Sequence, residues 1–279
     1  MVATACYAQA LGLKCIAMLK KQPNSQVVRR NLLLMHHFGT EIHLCPDTEF
    51  RTLQTIATCI EHKNNHSDFP YFMPTGGSIP VGILGFVNAA FELKRQIEEG
   101  VMPEPDYLYV AAGSLGTMVG LLLGLKAAGL KTQLRSVLVE PIENLKASRE
   151  EITKLFKETN RLLHDADPSF PVWNLTEDEI YLNTDFTGSD YGLFTPEGKQ
   201  ALTTLQETED IKLDGTYTAK AFAGLLDDAS KGLCKNKVIL FWNTFCSDDF
   251  DDILATQDYK QLSLCFHEFF EKEIQPLDR

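Results

Sequence analysis

Two glycine-containing turns carry residue types that could hold a phosphate group. The first turn is Gly113-Ser-Leu-Gly-Thr117, which follows the apolar run Tyr107–Ala112 and precedes a Leu-, Ala- and Gly-rich stretch over residues 118–128. Glycines allow a sharp turn, and the amides of the turn and of the following helix converge on one point, where the helix dipole adds positive potential. The pattern predicts a phosphate site. The alternative is an ordinary strand-to-helix loop whose glycines only allow the helix to approach the sheet.

The second turn lies upstream and also leads into a predicted helix. Pro74, Gly76 and Gly77 break any regular element, and an apolar helical pattern covers residues 82–93 directly afterwards. A second glycine turn therefore precedes a second helix N-terminus. The alternative interpretation is a hinge between domains, because glycine turns before helices also occur at boundaries.

Alternating strands and helices must position these turns. Helices are predicted over residues 3–11, 24–38, 47–63, 82–93, 118–128, 142–164, 196–208 and 219–232, and strands over 13–18, 41–45, 107–112, 133–140, 180–182 and 238–242. A final helix is predicted to hold Phe266, Phe269 and Phe270 as core or interface residues. This alternation predicts an α/β fold with a mainly parallel sheet and ligands at the carboxyl ends of its strands.

Composition narrows the class of protein. The chain has 279 residues, a net charge of -12 and no cluster of Lys and Arg, which argues against a nucleic-acid partner. The seven cysteines are scattered and never spaced as CxxC, so neither a disulfide framework nor a zinc site is expected. The sequence shows no long apolar run and no basic-then-apolar leader. We therefore expect a cytoplasmic protein with no membrane partner and no metal.

Five motifs in the same order resemble a family of pyridoxal-phosphate enzymes, the 1-aminocyclopropane-1-carboxylate deaminases and D-cysteine desulfhydrases. The motifs are Thr75-Gly-Gly-Ser78 with Leu84-Gly-Phe86, Ala112-Gly-Ser-Leu-Gly-Thr117, Asp190-Tyr-Gly192, Thr216-Tyr-Thr-Ala-Lys-Ala-Phe-Ala-Gly224, and Ile239-Leu-Phe followed by Thr244. The similarity extends to about residue 250. It implies the tryptophan synthase β-like fold, with two open, mainly parallel twisted sheets flanked by helices. It also implies a smaller α/β domain over residues 1–85, incomplete at its N-terminus, and a larger cofactor-binding domain over residues 86–279.

The resemblance assigns roles to particular residues. Pyridoxal 5′-phosphate is the implied cofactor, and its phosphate would be bound by Gly113, Ser114, Leu115, Gly116 and Thr117. Thr218 or Thr244 would lie near the ring nitrogen, Tyr191 and Tyr217 would act at the substrate, and Ser78 and Gly77 would border the substrate.

The same family implies the reaction. A small amino acid loses a β-substituent, or has a small ring opened, and yields a 2-oxo acid and ammonia. Thr218 favours β-elimination, because the deaminases have a carboxylate at this position and the desulfhydrases have Thr. A carboxylate would keep the ring nitrogen protonated, whereas a hydroxyl only forms a hydrogen bond with it. The family also implies a homodimer.

Several departures from the family pattern argue against an active enzyme. The family's Schiff-base lysine and a Ser-Asn pair would both precede Met1, and we assign that lysine role to none of the lysines present, including Lys220. Ile79 and the pair Phe245-Cys246 place bulky side chains where the family has smaller ones. We therefore expect an N-terminally shortened chain that is nearly inactive as given.

Two alternatives remain open at this point. The first is a non-catalytic relative with a binding or regulatory role, which the bulky residues favour. The second is a nucleotide-binding α/β protein that uses the loop at Gly113, although the chain has neither a P-loop lysine nor a clear acidic partner for a ribose.

Overall fold

Helices and strands alternate along almost the entire chain. The computed structural model describes residues 1–141, 145–246 and 248–278, without the side chains of 145–147. In chain order the elements are α1 (Val2–Ala10), β1 (Ile16–Lys20), α2 (Gln26–His37), β2 (Glu41–Cys45), α3 (Thr48–His66), α4 (Pro80–Glu98), β3 (Tyr107–Ala112), α5 (Gly116–Ala128), β4 (Gln133–Leu138), α6 (Leu145–Ala166), β5 (Leu182–Asn183), α7 (Pro196–Glu209), α8 (Thr218–Ser230), β6 (Ile239–Phe241), α9 (Asp251–Ala255) and α10 (Glu268–Glu271). The first residues of the predicted helix 142–164 lie outside the described part of the chain.

The chain forms two compact units. The first unit combines Met1–Phe72 with Cys246–Arg279, and the second is the continuous stretch Met73–Phe245. This division differs from the predicted one at residue 85, and it places the C-terminal segment in the first unit. The reason is long-range packing that a local pattern cannot reveal. Arg29 of α2 donates hydrogen bonds to the carbonyls of Phe269 (2.7 Å) and Lys272 (2.6 Å).

The first unit is built on two parallel strands, β1 and β2, paired from Ile16 opposite Glu41. Phe266 and Phe269 are buried in its core, as predicted for core residues. The predicted final helix is wrong, however, because these phenylalanines belong to a 3-10 turn, Leu264–Phe266, and to the four-residue helix α10. The positions of apolar residues in the sequence indicate which side chains face inward, but they do not determine the backbone conformation between them.

The second unit contains a four-stranded parallel sheet in the order β5-β4-β3-β6. The predicted α/β class, with mainly parallel sheets flanked by helices, is confirmed. Because the strands are parallel, the segments that follow each of them lie at one edge. The turn at Gly113, Val139, the loop over residues 184–195 and Thr244 all follow strands of this sheet. Among the described helices of the chain, none is both long and apolar enough to cross a membrane.

Two glycines allow the backbones of α4 and α5 to touch. A Cβ atom on Gly124 would lie 2.6 Å from the carbonyl oxygen of Val87 and 2.7 Å from the Cβ of Ala90. A Cβ on Gly120 would lie 2.5 Å from the Cβ of Phe86. This close contact fixes the N-termini of both helices, and hence the two glycine turns, beside each other.

Replacing Gly124 with alanine is expected to lower the free energy of unfolding by about 2 kcal/mol, because the added methyl group forces the two backbones apart. Urea unfolding followed by circular dichroism measures the change. Gly85→Ala is the matched control on α4, since nothing lies within 4 Å of the position that its methyl group would take. It is expected to raise stability by about 0.5–1 kcal/mol. Equal effects of the two substitutions would contradict the close contact.

Candidate active site

The turn after β3 has the form of an anion cup. The strand ends at Ala112, Leu115 takes a left-handed conformation with φ +69°, and α5 begins at Gly116. The Val119 amide donates to the Leu115 carbonyl (2.9 Å), so the preceding amides belong to the unpaired first turn of the helix. These donors lie at the positive end of the helix dipole, which favours a phosphate.

The second glycine turn lies directly against the first. Ser78 donates a hydrogen bond from its Oγ to the Oγ of Ser114 (2.8 Å). A Cβ on Gly116 would lie 2.6 Å from Ser78 Oγ, and one on Gly76 would lie 2.0 Å from Ser114 Oγ. Gly77 belongs to the same turn, with φ +63°. The structure therefore brings together the predicted residues of both turns, with no space for larger side chains between them.

Two tyrosines form a pair beside the first turn. The hydroxyls of Tyr191 and Tyr217 are hydrogen-bonded, and their rings meet edge to face with centroids 6.1 Å apart. A Cβ on Gly113 would lie 3.2 Å from the Tyr217 ring, so Tyr217 covers the start of the turn. Burial raises the pKa of both phenols above their usual value. Both side chains therefore stay protonated at neutral pH.

Asp214 organises the segment that carries Tyr217. Its carboxylate accepts hydrogen bonds from the amides of Thr216 (2.9 Å), Tyr217 (2.7 Å) and Thr218 (3.1 Å) at the start of α8. Reasoning from the sequence missed this residue. An Asp shortly before a predicted helix is a typical N-cap and could have indicated it.

Thr218, one of the two candidates for the cofactor's ring nitrogen, forms hydrogen bonds with Asp214 in this structure. Its hydroxyl donates to Asp214 Oδ2 (2.8 Å) and accepts from the Asp214 amide (2.9 Å), and the residue is only 1% exposed. The Thr218 hydroxyl therefore donates and accepts its hydrogen bonds within the segment that starts α8. Thr244, the other candidate for the ring nitrogen, is exposed and follows β6 at the carboxyl edge of the sheet.

Lys220 is a second residue to which the sequence pattern assigned no role. Its side chain is 0% exposed, and its Nζ donates to the carbonyls of Val139 (2.8 Å) and Thr187 (2.7 Å). Burial lowers its pKa to about 8, although the carboxylates of Asp214 and Glu140 act in the opposite direction. The sequence signal that could have indicated Lys220 is a single charged residue between two alanines, Ala219-Lys-Ala221.

The residues of the cup fit a phosphate ester. The observations are the free first-turn amides, the left-handed Leu115, the paired serine hydroxyls and a glycine at each point where a Cβ would close the space. Within the described residues, no group of three or more His, Cys, Asp or Glu side chains could hold a metal ion.

Fold and site together define a cofactor-dependent α/β enzyme scaffold, and comparison with known proteins places it in a family. The family described as pyridoxal-phosphate dependent enzyme matches residues 2–244. The chain belongs to this family, and pyridoxal phosphate is the cofactor of the family.

Two relatives within this family are similar to the chain over most of its length. The chain is 34% identical over 237 residues to the D-cysteine desulfhydrase of Salmonella schwarzengrund (strain CVM19633), a match covering 82% of this chain and 66% of the relative. The matched region thus spans just under two thirds of that relative's length. A solved structure of an ACC deaminase homologue has a TM-score of 0.70 at 29% identity, covering 91% of this chain and 74% of the other.

More distant structures share the fold. O-acetyl serine sulfhydrylase isoform 3 from Entamoeba histolytica gives a TM-score of 0.53 at 17% identity, over 99% of this chain and 71% of the other. The predicted resemblance to the deaminase and desulfhydrase family is confirmed.

Proposed function

We propose that this chain carries the cofactor site of a pyridoxal-phosphate enzyme that converts a small amino acid to a 2-oxo acid and ammonia. D-cysteine or 1-aminocyclopropane-1-carboxylate would be its type of substrate, as the names of the relatives suggest. The observation that carries the proposal is the meeting of two glycine turns at adjacent helix N-termini, beside a pair of part-buried, hydrogen-bonded tyrosines. A homodimer in the cytoplasm is part of the same proposal.

The turn over residues 113–117 would hold the phosphate. Its amides and the dipole of α5 supply the positive potential, and the Ser114 hydroxyl lies at the same point. Ser78 and Gly77 border the cup from the second turn, where a substrate carboxylate could be received. Bound pyridoxal phosphate supplies a ring that withdraws electrons from the carbon next to the substrate nitrogen.

The tyrosine pair would hold a proton at the substrate. One hydroxyl donates to the other, which leaves the second O–H free to donate in turn. Because burial raises both pKa values, the pair acts as a hydrogen-bond donor and proton source and not as a stable phenolate base. Thr244 is the remaining hydroxyl for the ring nitrogen, since that of Thr218 is used by Asp214.

A non-catalytic binding role is the second candidate. Phe245 is half-buried, and its amide is held by Asn243 Oδ1 (3.2 Å), which fixes a bulky residue directly after Thr244. Such a side chain would crowd a flat ring while leaving the phosphate cup intact. This candidate predicts cofactor binding without turnover.

Binding of pyridoxamine 5′-phosphate tests the cup, because this amine cannot condense with surface lysines. We expect saturable heat release in isothermal titration calorimetry, and none with pyridoxamine, which lacks the phosphate. Ser114→Asp places a carboxylate at the start of α5, where it favours the helix but repels the phosphate. The dissociation constant is expected to rise at least about 10-fold, and an unchanged far-ultraviolet circular dichroism spectrum shows that the variant stays folded.

Thr48→Asp is the matched control, since it places the same charge at the exposed start of α3. It is expected to bind like the wild type. If Ser114→Asp bound equally well, the phosphate assignment would be wrong. Release of ammonia from D-cysteine and from 1-aminocyclopropane-1-carboxylate by a version extended upstream in the gene then distinguishes the two candidates, because none of the lysines present here is assigned the Schiff-base role and this chain is expected to be nearly inactive under either. An extended version that binds the cofactor but releases no ammonia is the non-catalytic relative.

A further inference from the structure

Lys220 connects two separate loops at the carboxyl edge of the larger sheet. It lies in the first turn of α8, and its side chain is completely buried. The Val139 carbonyl, one of its two acceptors, directly follows β4. The Thr187 carbonyl, the other acceptor, belongs to the loop over residues 184–195 that carries Tyr191.

The groups around Lys220 accept hydrogen bonds from its ammonium group and supply negative charge near it. Gly188 and Gly198 both lie beside the side chain, since a Cβ on Gly188 would be in ordinary van der Waals contact with Nζ (3.8 Å) and one on Gly198 with Cγ (3.7 Å). The carboxylates of Asp214 and Glu140 supply nearby negative charge. A buried carbonyl without a donor is costly, and lysine supplies three hydrogens from one atom.

The loop has other anchors, but they act on either side of Thr187. Phe186 is buried in an apolar cluster with Val137 and Ala221. Further on, Phe194 lies against Gly215, where an added Cβ would come within 2.3 Å of its ring. Between these anchors, the contacts of residues 187–193 include the hydrogen bond from Lys220 to the Thr187 carbonyl and that of Tyr191 to Tyr217. Tyr217 immediately precedes α8, one turn before Lys220.

We propose that Lys220 is a positioning residue whose Nζ links the end of β4 to the 184–195 loop and thereby holds Tyr191 against Tyr217. Its importance for catalysis rests on the function proposed above. The link itself is a property of the chain without cofactor.

Hydrogen–deuterium exchange of the cofactor-free chain tests the link. In Lys220→Met, the amides of residues 187–193 are expected to exchange about 10-fold faster, while those of β3 and β4 keep their protection. Lys220→Gln keeps N–H donors without the charge and is expected to restore part of the protection. Lys235→Met, at an exposed lysine just beyond α8, is expected to behave like the wild type. Titration with inorganic phosphate should give the same affinity in all variants, because Lys220 does not contact the cup.

Unchanged exchange in residues 187–193 of folded Lys220→Met would overturn the proposal. Uniformly faster exchange, or a failure of both Lys220 variants to fold, would also overturn it, because the role would then be general stability. Since the exchange measurement needs no cofactor, failure to bind pyridoxamine 5′-phosphate would count against the proposed function alone.

Discussion

Asp214→Ala is expected to lower the free energy of unfolding by about 3 kcal/mol and to disorder the start of α8. An ordinary N-cap contributes about 1 kcal/mol. The Asp214 carboxylate is only 9% exposed and accepts from three amides and from the Thr218 hydroxyl. Its removal leaves several buried donors without an acceptor, each of which costs about 1–3 kcal/mol when unsatisfied.

Urea unfolding measures this loss, and Asp47→Ala provides the comparison. Asp47 caps α3 through one exposed hydrogen bond, to the Phe50 amide (2.8 Å), so its loss is expected to cost about 1 kcal/mol or less. Equal losses for the two variants would show that the buried network adds nothing to an ordinary cap. Asp214→Ala should also weaken the Tyr191–Tyr217 contact, visible as a changed near-ultraviolet circular dichroism spectrum.

The stability difference between the wild type and Lys220→Met is expected to grow with pH. The pKa of Lys220 is about 8 in the folded chain and 10.5 in the unfolded chain. Between these values the unfolded chain binds more protons, so stability due to this group rises with pH. Full titration corresponds to about 3 kcal/mol, since one unit of pKa is about 1.4 kcal/mol.

Paired urea titrations at pH 7, 8, 9 and 10 check this result. The difference between the two proteins isolates Lys220 from the other groups that titrate in this range. Asp214 and Glu140 are the carboxylates that act on it. A difference that stayed constant, or fell, as the pH rose would mean that Lys220 is not buried as described.

Much of the local structure could be predicted because its signals are local. The strand Glu41–Cys45, the strand Tyr107–Ala112 and the glycine turn after it were predicted and are confirmed. The helices predicted over residues 47–63 and 196–208 begin at Thr48 and Pro196, where the side chains of Asp47 and Thr195 cap them, and each cap depends on residues within one turn. The turn over residues 113–117 also consists of consecutive residues, and the phosphate assigned to it stays a prediction.

What could not be predicted depends on residues distant in sequence. The buried ammonium of Lys220 needs carbonyls 81 and 33 residues away, and no periodicity reports such contacts. The placement of Thr218 or Thr244 near the ring nitrogen stays a prediction, and the hydrogen bond of the Thr218 hydroxyl to Asp214 was not foreseen. The C-terminal segment was predicted in the larger domain, whereas its hydrogen bonds to Arg29 join it to the first unit.

The discontinuity of the first unit has a consequence for biosynthesis. Leu262, Phe266 and Phe269 complete a core whose other residues, including Val28 and Leu32 of α2, are synthesised long before them. The second unit, by contrast, comes from one uninterrupted stretch. On the ribosome, the second unit can therefore fold while the first unit still awaits its last residues. Until Phe266 and Phe269 have been synthesised, the apolar side of α2 stays exposed to chaperones and to aggregation.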